Sequence, residues 1–243
     1  MKFISREHLY SYLNGLKYLG QGCQGICYLN PKNNIVFKIF NDYFDNEATG
    51  YTKEFLLRFS SIQNKTFVWP SNTIEVNNQI VGYTMPYKKA KNLYNINPLL
   101  INLDNLEKAI IKTEKDIKIL TNNNVSLYDV RYNILYSNGK IYVIDTLDYG
   151  NSKVSYEENR MTVDDEIMLF LVDNYFDNFV NNDKILHEMY RELDVSGIEF
   201  LKVFRTKLSE HVGSEITKLG DAKKLVKRKI NCVYQRWFKL KDM

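Results

Sequence analysis

The stretch LGQGCQG, Leu19–Gly25, places three of the chain's eleven glycines, Gly20, Gly22 and Gly25, within six residues. Glycine weakens a strand or hairpin, because it packs no side chain and loses much backbone entropy on folding. Something at this position therefore needs bare backbone. A tight hairpin turn is one such need. Close approach to a ligand is the other, and phosphate is the ligand most often met in this way, by backbone N–H groups. The flanks read as strands: Leu16 and Tyr18 alternate before the glycines, Ile26 and Tyr28 after them. PKNN, Pro31–Asn34, is a turn signal. IVFKIF, Ile35–Phe40, then forms a short apolar strand interrupted by one lysine, Lys38. A lysine buried alone in such a strand is costly, so it lies on a solvent edge or has a partner. A glycine-rich hairpin followed by an ammonium-bearing strand suits a phosphate group held from two sides.

The bulk properties narrow the class. A chain of 243 residues with 44% apolar content can build one large domain or two small lobes around a cleft. A net charge of +4 is too small to argue for nucleic acid, and none is expected as a partner. Cys23, Cys27 and Cys232 are odd in number and lack metal-ligand spacing, which argues against a disulfide framework. His8, His187 and His211 are too scattered for a histidine metal site. Met1–Gly15 is polar, and no run of 18 apolar residues occurs. The expectation is a soluble, cytoplasmic protein without a transmembrane segment.

Downstream, SLYDVRYNILYSNGKIYVIDTLDYG, Ser126–Gly150, contains two strand patterns, Ile134–Tyr136 and Ile141–Ile144. Ser137, Asn138 and Gly139 join them, with Asn-Gly as a hairpin signal. Asn133 precedes the first strand and Asp145 ends the second. Two further strand patterns cover Thr73–Val76 and Gln79–Pro86, and Leu103–Leu120 repeats apolar residues at helical spacing.

In this order the features resemble the protein-kinase superfamily. G-x-G-x-x-G on Gly20, Gly22 and Gly25 looks like its glycine-rich loop, and VFKIF looks like the strand that carries its phosphate-binding lysine. A dinucleotide-binding loop would open a helix at the third glycine, whereas ICYLN continues as strand. The resemblance implies an α+β, bilobal protein-kinase-like fold: an N-lobe over 1–87 with a small antiparallel β-sheet and one helix, and a mainly helical C-lobe over 88–243. It implies ATP and Mg2+ as cofactors. Lys38 would align the phosphates, Asp145 and Asn133 would hold magnesium, and Asp129 would accept the proton of the attacking hydroxyl. Arg131 stands where Ser/Thr-type members keep a lysine beside the transferred phosphoryl group. Glu54 would pair with Lys38, with Glu47 as the alternative. Met85 and Tyr87 would flank the adenine-binding hinge. Asp165 would be the buried carboxylate tying the catalytic loop to the next helix.

The chain also departs from that pattern. Three residues, not four, separate Asp129 from Asn133, and Leu127 and Tyr128 replace the His-Arg pair before the aspartate. Thr146 and Leu147 replace the Phe-Gly after Asp145, and no Ala-Pro-Glu motif follows. Two functions therefore stay open. One is a phosphotransferase acting on a protein or small-molecule hydroxyl; the other is a pseudokinase that binds a nucleotide or a partner. Further helices are expected over Val163–Phe179, Ile185–Leu193 and Gly197–His211. A basic helix over Asp221–Leu240 has a solvated charged face, with membrane-surface contact as the minor alternative.

Overall fold

A computed structural model describes residues 1–191 and 195–225. The basic helix expected over Asp221–Leu240 lies outside these residues from position 226 onward, and so does any membrane contact assigned to it. The architecture is mixed α+β, with a six-stranded sheet. The chain divides into two units, Met1–Lys89 with Ile144–Asp148, and Ala90–Val143 with the residues from 149 onward.

The first unit begins with β1 (Lys2–Phe3) and α1 (Arg6–Asn14), followed by β2 (Lys17–Gln21), β3 (Gly25–Asn30) and β4 (Ile35–Phe40). Two short helices come next, α2 (Asn41–Phe44) and α3 (Lys53–Leu57), then β5 (Asn72–Val76) and β6 (Gln79–Pro86). The spatial order is β1-β5-β6-β4-β3-β2. An antiparallel sheet was expected; all its pairs are antiparallel except β1, which runs parallel to β5. This exception has a local cause. Met1 and Phe3 receive backbone hydrogen bonds from Glu75 and Asn77, so the chain start caps the free edge of β5.

α1 has no counterpart in the sequence expectations. Ser5 caps it, its side chain accepting from the His8 N–H. Leu9 and Leu13, one turn apart, are buried against Phe37, Ile39, Ile74 and Val81. Each such leucine contributes about 1.5–3 kcal/mol on full burial. β4 lies between β3 and β6 and is buried from Val36 to Phe40. Alternation along the strand puts Phe37 and Ile39 on the α1 face and Lys38 on the opposite one. The solvent-edge reading of Lys38 is thereby ruled out.

The second unit contains β7 (Lys91–Asn92), the long helix α4 (Leu103–Asn122), β8 (Val125–Ser126), β9 (Ile134–Tyr136), β10 (Ile141–Val143) and β11 (Gly150–Asn151). The helices α5 (Tyr156–Val172), α6 (Asp177–Asn182), α7 (Lys184–Arg191) and α8 (Gly197–Val212) follow. The apolar spacing of α4 matches its buried face, Leu106, Ile110, Thr113, Ile117 and Leu120. β9 and β10 form the hairpin expected of Asn-Gly: Asn138 and Gly139 have φ of 32° and 82°, and Ser137 and Lys140 exchange backbone hydrogen bonds.

α5 starts seven residues before the expected Val163. Its start is a capping box in which Ser155 and Glu158 satisfy each other's backbone N–H. The expected continuation to Phe179 breaks after Val172, and α6 resumes at Asp177. This earlier start brings a different residue to the loop before β9. Asn159 is buried; its amide donates to the Val125 carbonyl at 2.8 Å and to Thr121 Oγ1 at 2.9 Å, and accepts from the Leu127 N–H at 2.8 Å. The tie expected of Asp165 is thus made by Asn159, while Asp165 is half-buried with a pKa raised by burial.

One turn on, Arg160 and Asp164 form a buried ion pair at 2.6 Å. Burial pushes the Asp164 carboxyl up to about 6, against the lowering effects of the Gly197 N–H and Arg160. Raised in this way, its contribution to stability is complete below the ordinary carboxylate range and is lost as pH rises through about 6. Removing one member of a buried pair takes from the other its closest opposite charge. Asp164→Ala is therefore expected to destabilise the protein by about 3–5 kcal/mol in urea unfolding. The double replacement Arg160→Met with Asp164→Leu is expected to recover much of that loss.

Candidate functional site

The first unit gathers the glycine turn, Lys38 and Asp145. Gly25 is a packing requirement: a Cβ there would lie 2.3 Å from the Ile39 carbonyl oxygen on β4. Gly20 and Gly22 are different, because a Cβ at either would meet nothing within 4 Å. Internal packing thus accounts for Gly25, and the backbone φ of 158° for Gly20, which leaves Gly22. Asn41 clasps the turn from the end of β4. Its amide donates to the carbonyls of Gly22 at 3.1 Å and Cys23 at 2.8 Å, and its N–H donates to the Gln24 carbonyl at 3.1 Å.

Lys38 is 5% exposed. Its ammonium ion-pairs with Asp145 and donates to Gln24 Oε1 at 2.9 Å. It also lies 5.8 Å from the centre of the Tyr83 ring, on the neighbouring strand. The Gln24 amide nitrogen in turn donates to Asp148 Oδ2 at 2.8 Å. Asp145 has a left-handed backbone, φ 58°. Its neighbours are anchored: Thr146 Oγ1 donates to the Val68 carbonyl at 3.1 Å, and the Leu147 carbonyl accepts from Arg58. Cys27 stands opposite Lys38 in the sheet. Burial pushes its thiol up to about 11, with Lys38 opposing that rise and Asp145 adding to it.

Glu54 does not meet Lys38. It is exposed in the first turn of the five-residue α3, and Glu47 is also exposed. The contact from this region to the Asp145 segment is made by Arg58, whose guanidinium stacks 3.7 Å from the Phe55 ring centre and 4.7 Å from that of Phe59. The two remaining nucleotide candidates lie at the end of β6. Met85 is buried opposite Val36, and the Tyr87 N–H donates to the Asn34 carbonyl at 2.8 Å. That N–H is therefore committed within the sheet.

The second unit holds Asp129, Arg131 and Asn133. Asp129 is exposed with φ 47°, and Tyr132 has φ 64°. Two left-handed residues thus turn the shortened loop. Asn133 closes it, donating from its N–H to the Val130 carbonyl at 3.0 Å and from its amide to the Asp129 carbonyl at 2.9 Å. Arg131 lies 3.8 Å from Glu166 Oε1, while the Tyr94 hydroxyl donates to Glu166 Oε2 at 2.7 Å. Burial and then Glu166 hold the Tyr94 hydroxyl well above its ordinary pKa. The sequence expectations lacked Gln24, Arg58, Asp148, Asn159 and Glu166. Gln24 lay inside the quoted glycine stretch, and the others carry no pattern that marks them. Among the described residues, no three or more His, Cys, Asp or Glu side chains form a metal-holding group, and no helix is long and apolar enough to cross a membrane.

No protein-family model matches the chain, and no curated protein matches it. Among solved structures it is similar to one titled "Titin kinase and its flanking domains", with a TM-score of 0.49 and 14% identity over 94% of this chain. The match spans 49% of that chain, about half its length.

The glycines separate by their surroundings. Gly25→Ala forces β3 against the β4 backbone and is expected to cost about 1–3 kcal/mol. Gly22→Ala, facing open space, is expected to stay within about 0.5 kcal/mol of the parent. Denaturant unfolding of both variants checks this.

Proposed function

We propose that the chain is an ATP- and magnesium-dependent phosphotransferase of the protein-kinase type, with a bilobal kinase-like fold, acting in the cytoplasm on a hydroxyl of a protein or a small molecule. The observation that carries this reading is the ion pair of Lys38 with Asp145, 107 residues apart in sequence. The resemblance independently assigned one residue to the nucleotide phosphates and the other to their metal. Their contact beside a glycine turn, with Gly22 that neither packing nor backbone conformation requires, supports that assignment. The donor set fits the cofactors. Lys38 offers an ammonium to phosphate oxygens, and Asp145 and Asn133 offer the hard oxygen ligands that magnesium takes. When bound, magnesium neutralises the charge that develops on the phosphoryl oxygens. Asp129, exposed on its loop, would take the acceptor proton, and Arg131, steadied by Glu166, would hold negative charge nearby. Such catalysis rests on positioning and charge neutralisation.

A second reading, a nucleotide- or partner-binding pseudokinase, draws on the loop itself. Three residues separate Asp129 from Asn133, and the Asn133 amide nitrogen is spent on closing that shortened turn at the Asp129 carbonyl.

Thermal unfolding with ATP, with and without magnesium, tests the nucleotide site. Ligand at a hundred times its dissociation constant is expected to stabilise the protein by about 2.7 kcal/mol. The increment is expected to need magnesium and to vanish in Asp145→Asn. That variant is compared with its own ligand-free state, because Lys38 loses its counter-charge in it. Absence of any nucleotide-dependent shift in the parent protein would remove the reading.

Turnover separates the two functions. If Asp129 is the base, Asp129→Asn is expected to lower phosphoryl transfer by about 10²–10⁴-fold with ATP binding retained. Binding without transfer in the parent protein, under every divalent metal tried, would favour the pseudokinase.

A further inference from the structure

Gln24 occupies a position that neither packing nor turn geometry requires of a glutamine. Its carbonyl accepts from the Asn41 N–H, so its backbone is fixed by the clasp on the glycine turn. Its side chain reaches down and makes two contacts of opposite polarity. Oε1 accepts from the Lys38 ammonium at 2.9 Å, and Nε2 donates to Asp148 Oδ2 at 2.8 Å. We propose that Gln24 is a latch: its amide closes the glycine turn over Lys38 in the ligand-free protein, and a nucleotide phosphate must displace it to reach that ammonium. The proposal rests on the nucleotide reading above and makes Gln24 a positioning residue that sets nucleotide affinity.

The chemistry of the two faces explains why a glutamine suits this task. Lys38 is nearly sealed from water, so its protons need acceptors when no ligand is present. Asp145 supplies one acceptor and Gln24 a second. A neutral amide oxygen fills the place of a phosphate oxygen without its charge. The ammonium makes either bond charge-assisted, and a phosphate oxygen adds a full negative charge that the amide oxygen lacks, so it attracts Lys38 more strongly. The exchange is therefore favourable but reduced by the loss of both Gln24 contacts. The Asp148 contact sets the direction of the latch, since it orients the amide with its oxygen toward Lys38. Asn41 keeps the turn clasped when the contacts are lost, so it is the Gln24 side chain that swings away from Lys38.

The test follows Lys38 itself. The full-length protein is treated with an acetylating reagent, and modification of Lys38 is quantified by peptide mass across a titration of ATP with magnesium. In the parent protein, ATP is expected to protect Lys38 with a measurable midpoint. Gln24→Ala is expected to acetylate faster without ligand and to be protected at about three- to tenfold lower ATP, because no internal group competes. Gln24→Glu gives Lys38 a charged acceptor, although it loses the donor to Asp148 and sets a carboxylate beside it, so its midpoint is expected to rise. Thermal unfolding of each ligand-free variant confirms that it is folded. A Gln24→Ala midpoint equal to or above the parent's, with the parent protected, overturns the latch while leaving the nucleotide site standing. Failure of ATP to protect Lys38 in the parent and in both variants overturns the nucleotide reading, and the latch falls with it.

Discussion

A buried ammonium must be neutralised, and in this protein that requirement falls on Lys38. The strand that carries it sits in the middle of the six-stranded sheet and is covered from Val36 to Phe40. Desolvating an isolated ammonium costs several kcal/mol, so the charge survives there only with a partner. The partner is Asp145, which belongs to a segment of five residues, Ile144–Asp148, that joins the first unit although the chain on either side belongs to the second. Thr146 and Arg58 fasten that segment by backbone contacts, and the left-handed conformation of Asp145 turns the chain at the point of the ion pair.

Around that pair the unit is arranged economically. Gln24 bridges Lys38 and Asp148, and Asn41 holds the turn from which Gln24 projects. Arg58, at the end of α3, donates to the Leu147 carbonyl and so acts on the backbone of the Asp145 segment, while Glu54 in the first turn of α3 is exposed. The lysine therefore draws its counter-charge from the metal-site candidate.

The loop of the second unit is shaped by a separate set of constraints. Asn159 and Asn133 satisfy its backbone, and Glu166 gathers Arg131 and Tyr94. Asn159 reaches the loop because α5 begins early, at a Ser155–Glu158 capping box, and not at the apolar run that starts with Val163. The cap residues were present in the sequence as a recognisable signal. Apolar spacing alone does not reveal that start, nor α1, which buries only Leu9 and Leu13.

Local patterns in the sequence determined the strands flanking the glycines, the buried strand with its lysine, the Asn-Gly hairpin and the long helix with its apolar face. These elements depend on periodicity and turn chemistry, which neighbouring residues express together. The ion pair of Lys38 with Asp145 was not legible: the resemblance gave the two residues separate roles in one reaction and assigned the lysine's ion pair to Glu54. Tertiary structure alone decided that Glu54 faces water, that Gln24 completes the shell of Lys38, and that Asn159 holds the loop before β9. The physical reason is the same in each case. A side-chain contact between distant segments depends on packing depth and helix register, and a shift of one turn at a helix start changes which residue arrives.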